Sequence, residues 1–167
     1  MADNDENEVV QEEKAQLFPM TTAAEWTAAA SDSAKVTAVA FVSRHCQYTD
    51  AAKATMKELS TNPDYSAIAF FTCDADESPE VARSASSLRP INALPAFFFV
   101  FNGEVLEHFA GSNMEKLRVC TKAAELKKKD VLVRLEKERE ESVRKAAEEE
   151  AARAAAEASG PAAAAAQ

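Results

Sequence analysis

Cysteine is scarce in this chain and odd in number: three in 167 residues. An odd set does not form a disulfide framework, and so few thiols suit a reducing compartment. Histidine is scarcer still. His45 and His108 lie far apart, and no ligand pair has metal-site spacing, so neither a metal nor another cofactor is expected. No apolar run approaches the roughly 18 residues of a membrane span. Met1-Ala2-Asp3-Asn4-Asp5 has neither the basic start nor the apolar run of a signal peptide, and its acidity opposes a mitochondrial transit peptide. A basic excess is missing too. The net charge of −9 argues against nucleic-acid and anionic-membrane partners. These absences together predict a cytoplasmic chain whose partners are proteins.

What is present suits one domain of about 100 residues with extensions. The bulky apolar residues concentrate between Leu17 and Leu135, which places the core there. Charge is unevenly spread. Residues 1–15 carry six acids against Lys14, whereas residues 114–167 carry eleven acids and twelve bases. Residues 1–15 read as a disordered acidic N-terminus, 16–126 as the folded domain, 127–159 as a charged helical extension and 160–167 as a disordered tail.

Within the domain, periodicity and turn residues give the order β-α-β-α-β-α-β-β-α. Gln16–Phe18 could be a short first strand. Thr21 or Thr22 can cap a helix through Ser31 with Trp26 on its buried face. Val36–Val42 and Ile68–Cys73 read as buried strands by length and β-branched content. Tyr48–Ser60 reads as a helix stopped by Asn62-Pro63. Ser78-Pro79 starts another, with Ser as cap and Pro in the first turn. Ala96–Phe101 is an apolar strand whose Phe97-Phe98-Phe99 run belongs in a core covered on both sides. Asn102-Gly103 marks a two-residue hairpin, with Glu104–Ala110 as the returning strand. Gly111-Ser112 opens the last helix.

That last helix is long. No Gly or Pro interrupts Ser112–Ser159 before Gly160-Pro161. Residues 114–158 would span roughly 67 Å. Leu117, Cys120, Ala124, Val131 and Leu135 supply an apolar stripe that ends there. Beyond it are alanines and i,i+4 charge pairs such as Lys137–Glu141, Glu140–Arg144, Glu141–Lys145 and Glu149–Arg153. The segment reads either as a solvated helix or as an arm for a partner. The Lys127-Lys128-Lys129 run reads as a solvated face or as a contact for an acidic partner.

The chemistry-bearing stretch is Arg44-His45-Cys46-Gln47-Tyr48-Thr49, between the Val36–Val42 strand and the following helix. A cysteine at the mouth of a helix is activated by the macrodipole and the exposed N–H groups. Residues from about Gln16 to Leu126 resemble the thioredoxin family, and several markers carry that resemblance. Val39–Cys46 is similar to the run into the family's nucleophilic cysteine. Phe70-Phe71-Thr72-Cys73-Asp74 is similar to its third strand. Ile91-Asn92-Ala93-Leu94-Pro95 is similar to the segment ending in its cis-proline, and Phe101-Asn102-Gly103-Glu104 to its hairpin. Gly111 falls eight residues after Gly103, as the family's glycine does. The resemblance implies an α/β thioredoxin fold: a central mixed sheet with flanking helices, here extended by the long charged C-terminal helix.

The chain departs from that pattern where the family does its chemistry. The family's first cysteine attacks a disulfide and the second resolves the mixed disulfide. Here the second position is Thr49, and the buried acid six residues before the first cysteine is Ala40. His45 replaces the family's Trp, and Gln47-Tyr48 its Gly-Pro. Dithiol reductase activity is therefore not expected. Cys46 is either a monothiol nucleophile or a retained small residue, whereas Cys73 and Cys120 read as buried small hydrophobes. For Pro95 the resemblance implies either retention for structure alone or a peptide-docking groove beside Cys46, lined by His45, Leu94, Pro95 and Ala96. Three functions follow. The first is a redox-inactive binding or structural subunit, for which the resemblance implies a cytoskeletal or ciliary setting by analogy with the thioredoxin-like light chains of ciliary dynein and axonemal assemblies. The second is a monothiol oxidoreductase or redox sensor using Cys46. The third is a chaperone-like adaptor gripping peptides at Pro95.

Overall fold

A computed structural model describes residues 17–159. Its elements are β1 (Phe18–Pro19), α1 (Ala23–Ala30), β2 (Val36–Val42), α2 (Thr49–Ser60), β3 (Ile68–Asp74), α3 (Pro79–Leu88), β4 (Ala96–Phe101), β5 (Glu104–Ala110) and α4 (Met114–Ala158). A 3-10 turn, Pro63–Tyr65, follows α2. The acidic residues 1–15 and the Gly160-Pro161 stop lie outside the described residues, as does Gln16. The described part divides into two units between Leu126 and Lys127.

The first unit is built on a five-stranded sheet of order β1-β3-β2-β4-β5. β1, β3 and β2 run parallel, and β4 and β5 are antiparallel to their neighbours. β2 lies at the centre. All seven of its residues are buried, the signature of a strand covered on both faces. Pairing of Phe41 with Cys73 on one side and Ala96 on the other sets which residues share a face.

One face carries Val39, Phe41, Phe98 and Val100, packed on Trp26 of α1 and on Val81 and Ala85 of α3. Trp26, Phe41 and Phe98 meet edge to face, with centroids 5.4–6.1 Å apart. That geometry suits the aromatic quadrupole. On the opposite side of β4, Phe97 stacks on Phe109 at 4.8 Å. Lys116 of α4 lies 5.3 Å above that Phe109 ring. The Arg118 guanidinium reaches Glu58 of α2 at 2.9 Å, so α2 and the first turns of α4 share this side. The Phe97–Phe99 run is thus core on both faces.

Helix ends follow local chemistry. Thr22 caps α1 in a full capping box with Glu25. The C-terminus of α1 is met by the hairpin tip: Asn102 N–H donates to Asp32 O at 3.0 Å and Gly103 N–H to Ala30 O at 2.8 Å. Asn102 and Gly103 adopt φ of 49° and 80°, the left-handed pair that a two-residue hairpin demands.

Several element ends and caps differ from expectation, among them α2, which starts at Thr49 rather than Tyr48, and α1, which ends at Ala30 rather than Ser31. β1 sits at Phe18–Pro19 rather than Gln16–Phe18; a proline is tolerated there because the strand is an edge. β3 runs one residue further, to Asp74. Ser78 occupies the N-cap of α3, but its side chain makes no capping bond. α4 opens at Met114 with Asn113 accepting from Lys116 N–H at 3.0 Å, so the cap is Asn113 rather than Gly111-Ser112.

The second unit contains the remainder of α4. Its described ion pairs include Arg134–Glu138, Arg144–Glu148 and Arg153–Glu157, all i,i+4 and exposed. Exposed pairs of this kind add little stability. Removing residues 136–167 should therefore shift the thermal midpoint of the first unit by no more than a few degrees, read by circular dichroism. A large drop would show that the segment stabilises the domain.

Candidate functional site

The site is the loop Ser43–Tyr48 between β2 and α2, set against the Leu94–Pro95 turn and the β3–α3 loop. Ser43 is its hub. The Ser43 hydroxyl donates to the Asp76 carboxylate and accepts from the His45 backbone N–H at 3.2 Å. The Ser43 carbonyl accepts from Cys46 N–H at 3.0 Å and from the Thr49 hydroxyl at 2.6 Å. Asp74, at the end of β3, turns the facing loop by accepting from Asp76 and Glu77 N–H groups. That is the local bonding by which Asp favours turns. Arg44 pairs with Glu77 at 3.2 Å across the same gap.

Cys46 sits in this loop, ahead of the helix rather than in its first turn. α2 begins at Thr49, and Tyr48 occupies the N-cap without a side-chain capping bond. The Cys46 thiol is half-buried and donates to the Leu94 carbonyl at 3.5 Å. Only the protonated thiol can make that bond. The Leu94–Pro95 peptide is cis. Leu94 packs partly on the core, and Pro95 is buried, its carbonyl accepting from Gly111 N–H at 2.9 Å. Ala96 is fully enclosed as the first residue of β4. His45 is exposed. The Leu94 carbonyl therefore lies against the Cys46 thiol and His45 is exposed beside it in the chain, whereas the Ala96 side chain is committed to the interior.

Thr49 and Ala40 define what this loop can do. The Thr49 side chain is buried with its hydroxyl committed to Ser43 O. Ala40 is fully buried and brings no carboxyl beneath the loop. Cys73 and Cys120 are both buried, and none of the three cysteines forms a disulfide. Burial, helped by the neighbouring Asp74 charge, pushes the Cys73 thiol up to about 12. Among the described residues no group of three or more His, Cys, Asp or Glu could hold a metal ion. No described helix is long and apolar enough to cross a membrane.

Sequence reasoning did not single out Ser43 or Asp76. The available signal was Asp74-x-Asp76-Glu77 directly after a strand, a turn-forming acidic run facing the end of the parallel neighbour β2.

His108 is a second unexpected feature. It pairs with Phe98 across β4 and β5, with ring centroids 4.5 Å apart. Its Nε2 is buried without a hydrogen-bond partner among the described residues. Burial, then the Arg89 charge, lowers its pKa below the ordinary 6.5. The unfolded chain therefore binds this proton first as pH falls. Stability should drop as pH falls through about 6.5, and the loss should level off below the folded-state value. Thermal midpoints from pH 8 to 5 should fall less steeply for His108→Gln; equal slopes would remove His108 from the account.

A mixed sheet of this order, with a cis-proline facing a cysteine loop, defines the thioredoxin fold. The Thioredoxin family model matches residues 17–123, and the chain belongs to that family. It is 37% identical to thioredoxin-1 of Schizosaccharomyces pombe over 59 residues, 35% of this chain and 53% of that protein. The match thus spans about half of that curated relative. Among solved structures, thioredoxin from Malassezia sympodialis superposes with a TM-score of 0.58 at 20% identity, covering 65% of this chain and 91% of that one. Thioredoxin from Fasciola hepatica gives 0.55 at 22% identity, covering 64% and 97%.

Proposed function

We propose that this chain is a binding member of the thioredoxin family that does not perform dithiol exchange. The observation that carries this reading is Thr49 in the second position of the motif, its hydroxyl held by the Ser43 carbonyl. Dithiol exchange needs two displacements. One thiolate attacks a disulfide, releasing one sulfur and keeping the other as a mixed disulfide; a second thiolate then displaces the protein sulfur. Thr49 has no sulfur for the second step. Ala40 supports the reading further, because it supplies no proton acceptor or donor there.

On this reading the head is a docking surface around Cys46, Leu94 and His45, and α4 is an attachment arm. A cytoskeletal or ciliary assembly is the setting suggested by thioredoxin-like light chains. A second reading, a monothiol that forms mixed disulfides through Cys46, is favoured by one observation. Of the three cysteines, Cys46 alone is not buried. The test is turnover of a protein disulfide such as insulin with dithiothreitol as reductant. The chain should add nothing to the rate of dithiothreitol alone; turnover matching a dithiol thioredoxin contradicts the proposal.

A further inference from the structure

The Asn102-Gly103 tip of the β4–β5 hairpin has two tasks. It makes the tight turn, and it closes the C-terminus of α1: Gly103 N–H donates to Ala30 O at 2.8 Å and Asn102 N–H to Asp32 O at 3.0 Å. Both tip residues are exposed, and nothing lies within 4 Å of the place where a Gly103 Cβ would stand. Among the six asparagines of the chain, Asn102 alone is followed by glycine. The tip is at the far end of β4 from Pro95, so it is separate from the Cys46 loop.

An asparagine before a glycine has a chemistry of its own. A Gly103 nitrogen that has given its proton to solvent can attack the side-chain carbonyl carbon of Asn102. The N–Cγ bond forms, the Cγ–Nδ2 bond breaks, and the amide nitrogen leaves with a proton as ammonia. The product is a five-membered imide. Water then opens it at either carbonyl, leaving aspartate or isoaspartate. Nothing is oxidised or reduced: one water enters, one ammonia leaves, and the chain gains one negative charge. A side chain on the second residue would crowd the attacking nitrogen, and glycine has none. In the folded chain that nitrogen is engaged, because its hydrogen is held by Ala30 O.

We propose that Asn102 is a spontaneous deamidation site masked by α1, modified only in molecules whose hairpin tip has left the helix end. The product acts back on the mask. A carboxylate at this position stands at the C-terminus of α1, where the helix dipole disfavours negative charge, and next to Asp32. Isoaspartate also lengthens the backbone within the turn. Each modified molecule therefore docks its tip less well, and the change runs one way. The proposal goes beyond the binding reading of the head and stands whether or not Cys46 reacts.

The full chain is incubated with reductant at mildly alkaline pH, in buffer and in denaturant. Peptide sequencing by mass spectrometry separates Asn102 from Asn92 and Asn113. In denaturant Asn102 should deamidate first of the six asparagines. In buffer its rate should be about tenfold or more lower, because the tip must undock before the nitrogen is free. Ala30→Gly loosens the last turn of α1 and should raise the rate in buffer about threefold or more, without changing the rate in denaturant. Gly103→Ala should slow the reaction in denaturant, where no turn has to form. Equal rates for the unaltered chain in buffer and denaturant overturn the proposal. So does an Asn102 that outlasts the other asparagines in denaturant, or an Ala30→Gly chain, folded by circular dichroism, that deamidates no faster in buffer than its parent.

Discussion

Thr49→Cys should give this protein a measurable but feeble disulfide reductase activity. The substitution places a second sulfur in the motif, three residues after Cys46 at the start of α2. It also removes the bond from the Thr49 hydroxyl to Ser43 O, which costs about 1 kcal/mol of local stability. The new thiol can attack a mixed disulfide on Cys46, so release no longer depends on an outside reductant. Activity should nevertheless remain about 10²-fold or more below that of a dithiol thioredoxin. The missing carboxyl at Ala40 removes an acid–base contribution of that order. Adding Ala40→Asp to Thr49→Cys should raise the rate if the fold accepts the buried charge. The measurement is insulin turnover against protein concentration. A single variant that matches a dithiol thioredoxin would show that Ala40 and the rebuilt loop cost nothing.

The second large effect concerns the three sulfurs. Cys46 should be alkylated about 10²-fold or more faster than Cys73 or Cys120 in the native state. The two buried thiols react only when the structure opens locally, and an opening that costs about 3 kcal/mol slows labelling by about that factor. In the closed state Cys73 is silent for a second reason. With its thiol pushed up to about 12, only about one part in 10⁴ is thiolate at pH 8, and the thiolate is the reactive form. Iodoacetamide labelling followed by peptide mass spectrometry gives the three rates directly. Faster labelling of Cys73 or Cys120 would mean that the described burial is wrong. Denaturant should bring the three rates close together.

Much of this was readable from the residues, and the limits have physical causes. β2, β4, β5 and the start of α1 follow from contiguous β-branched and aromatic runs, the Asn102-Gly103 turn and the Thr22–Glu25 box. All of these are local signals. The two-residue β1 has almost no pattern, and its position is set by pairing with Phe71 and Thr72, far away in the chain. The Cys46 loop was harder for the same reason. Ser43 and Asp76 are 33 residues apart, and the bond between them ties the turn Arg44–Tyr48, closed by local bonds to Ser43, to the β3–α3 loop. The place of the proline was legible; the direction of its neighbour was not. The Leu94 carbonyl, next to the cis Leu94–Pro95 peptide, meets the Cys46 thiol, but the register of β4 against Phe41 turns Ala96 inward. His108 gave no signal, because a lone histidine on an edge strand looks like any half-exposed polar residue.

One measurement tests the central claim most directly: the fate of a mixed disulfide placed on Cys46. The chain is treated with oxidised glutathione, which leaves one glutathione on Cys46 and releases the other as the thiol. Excess reagent is then removed, and intact mass is followed over time. A resolving thiol in the motif would expel the glutathione and leave an internal disulfide. With Thr49 in that position, the adduct should persist for hours and leave only when an external thiol is added. Spontaneous loss of the adduct from the native monomer, with an internal disulfide left behind, would contradict the account.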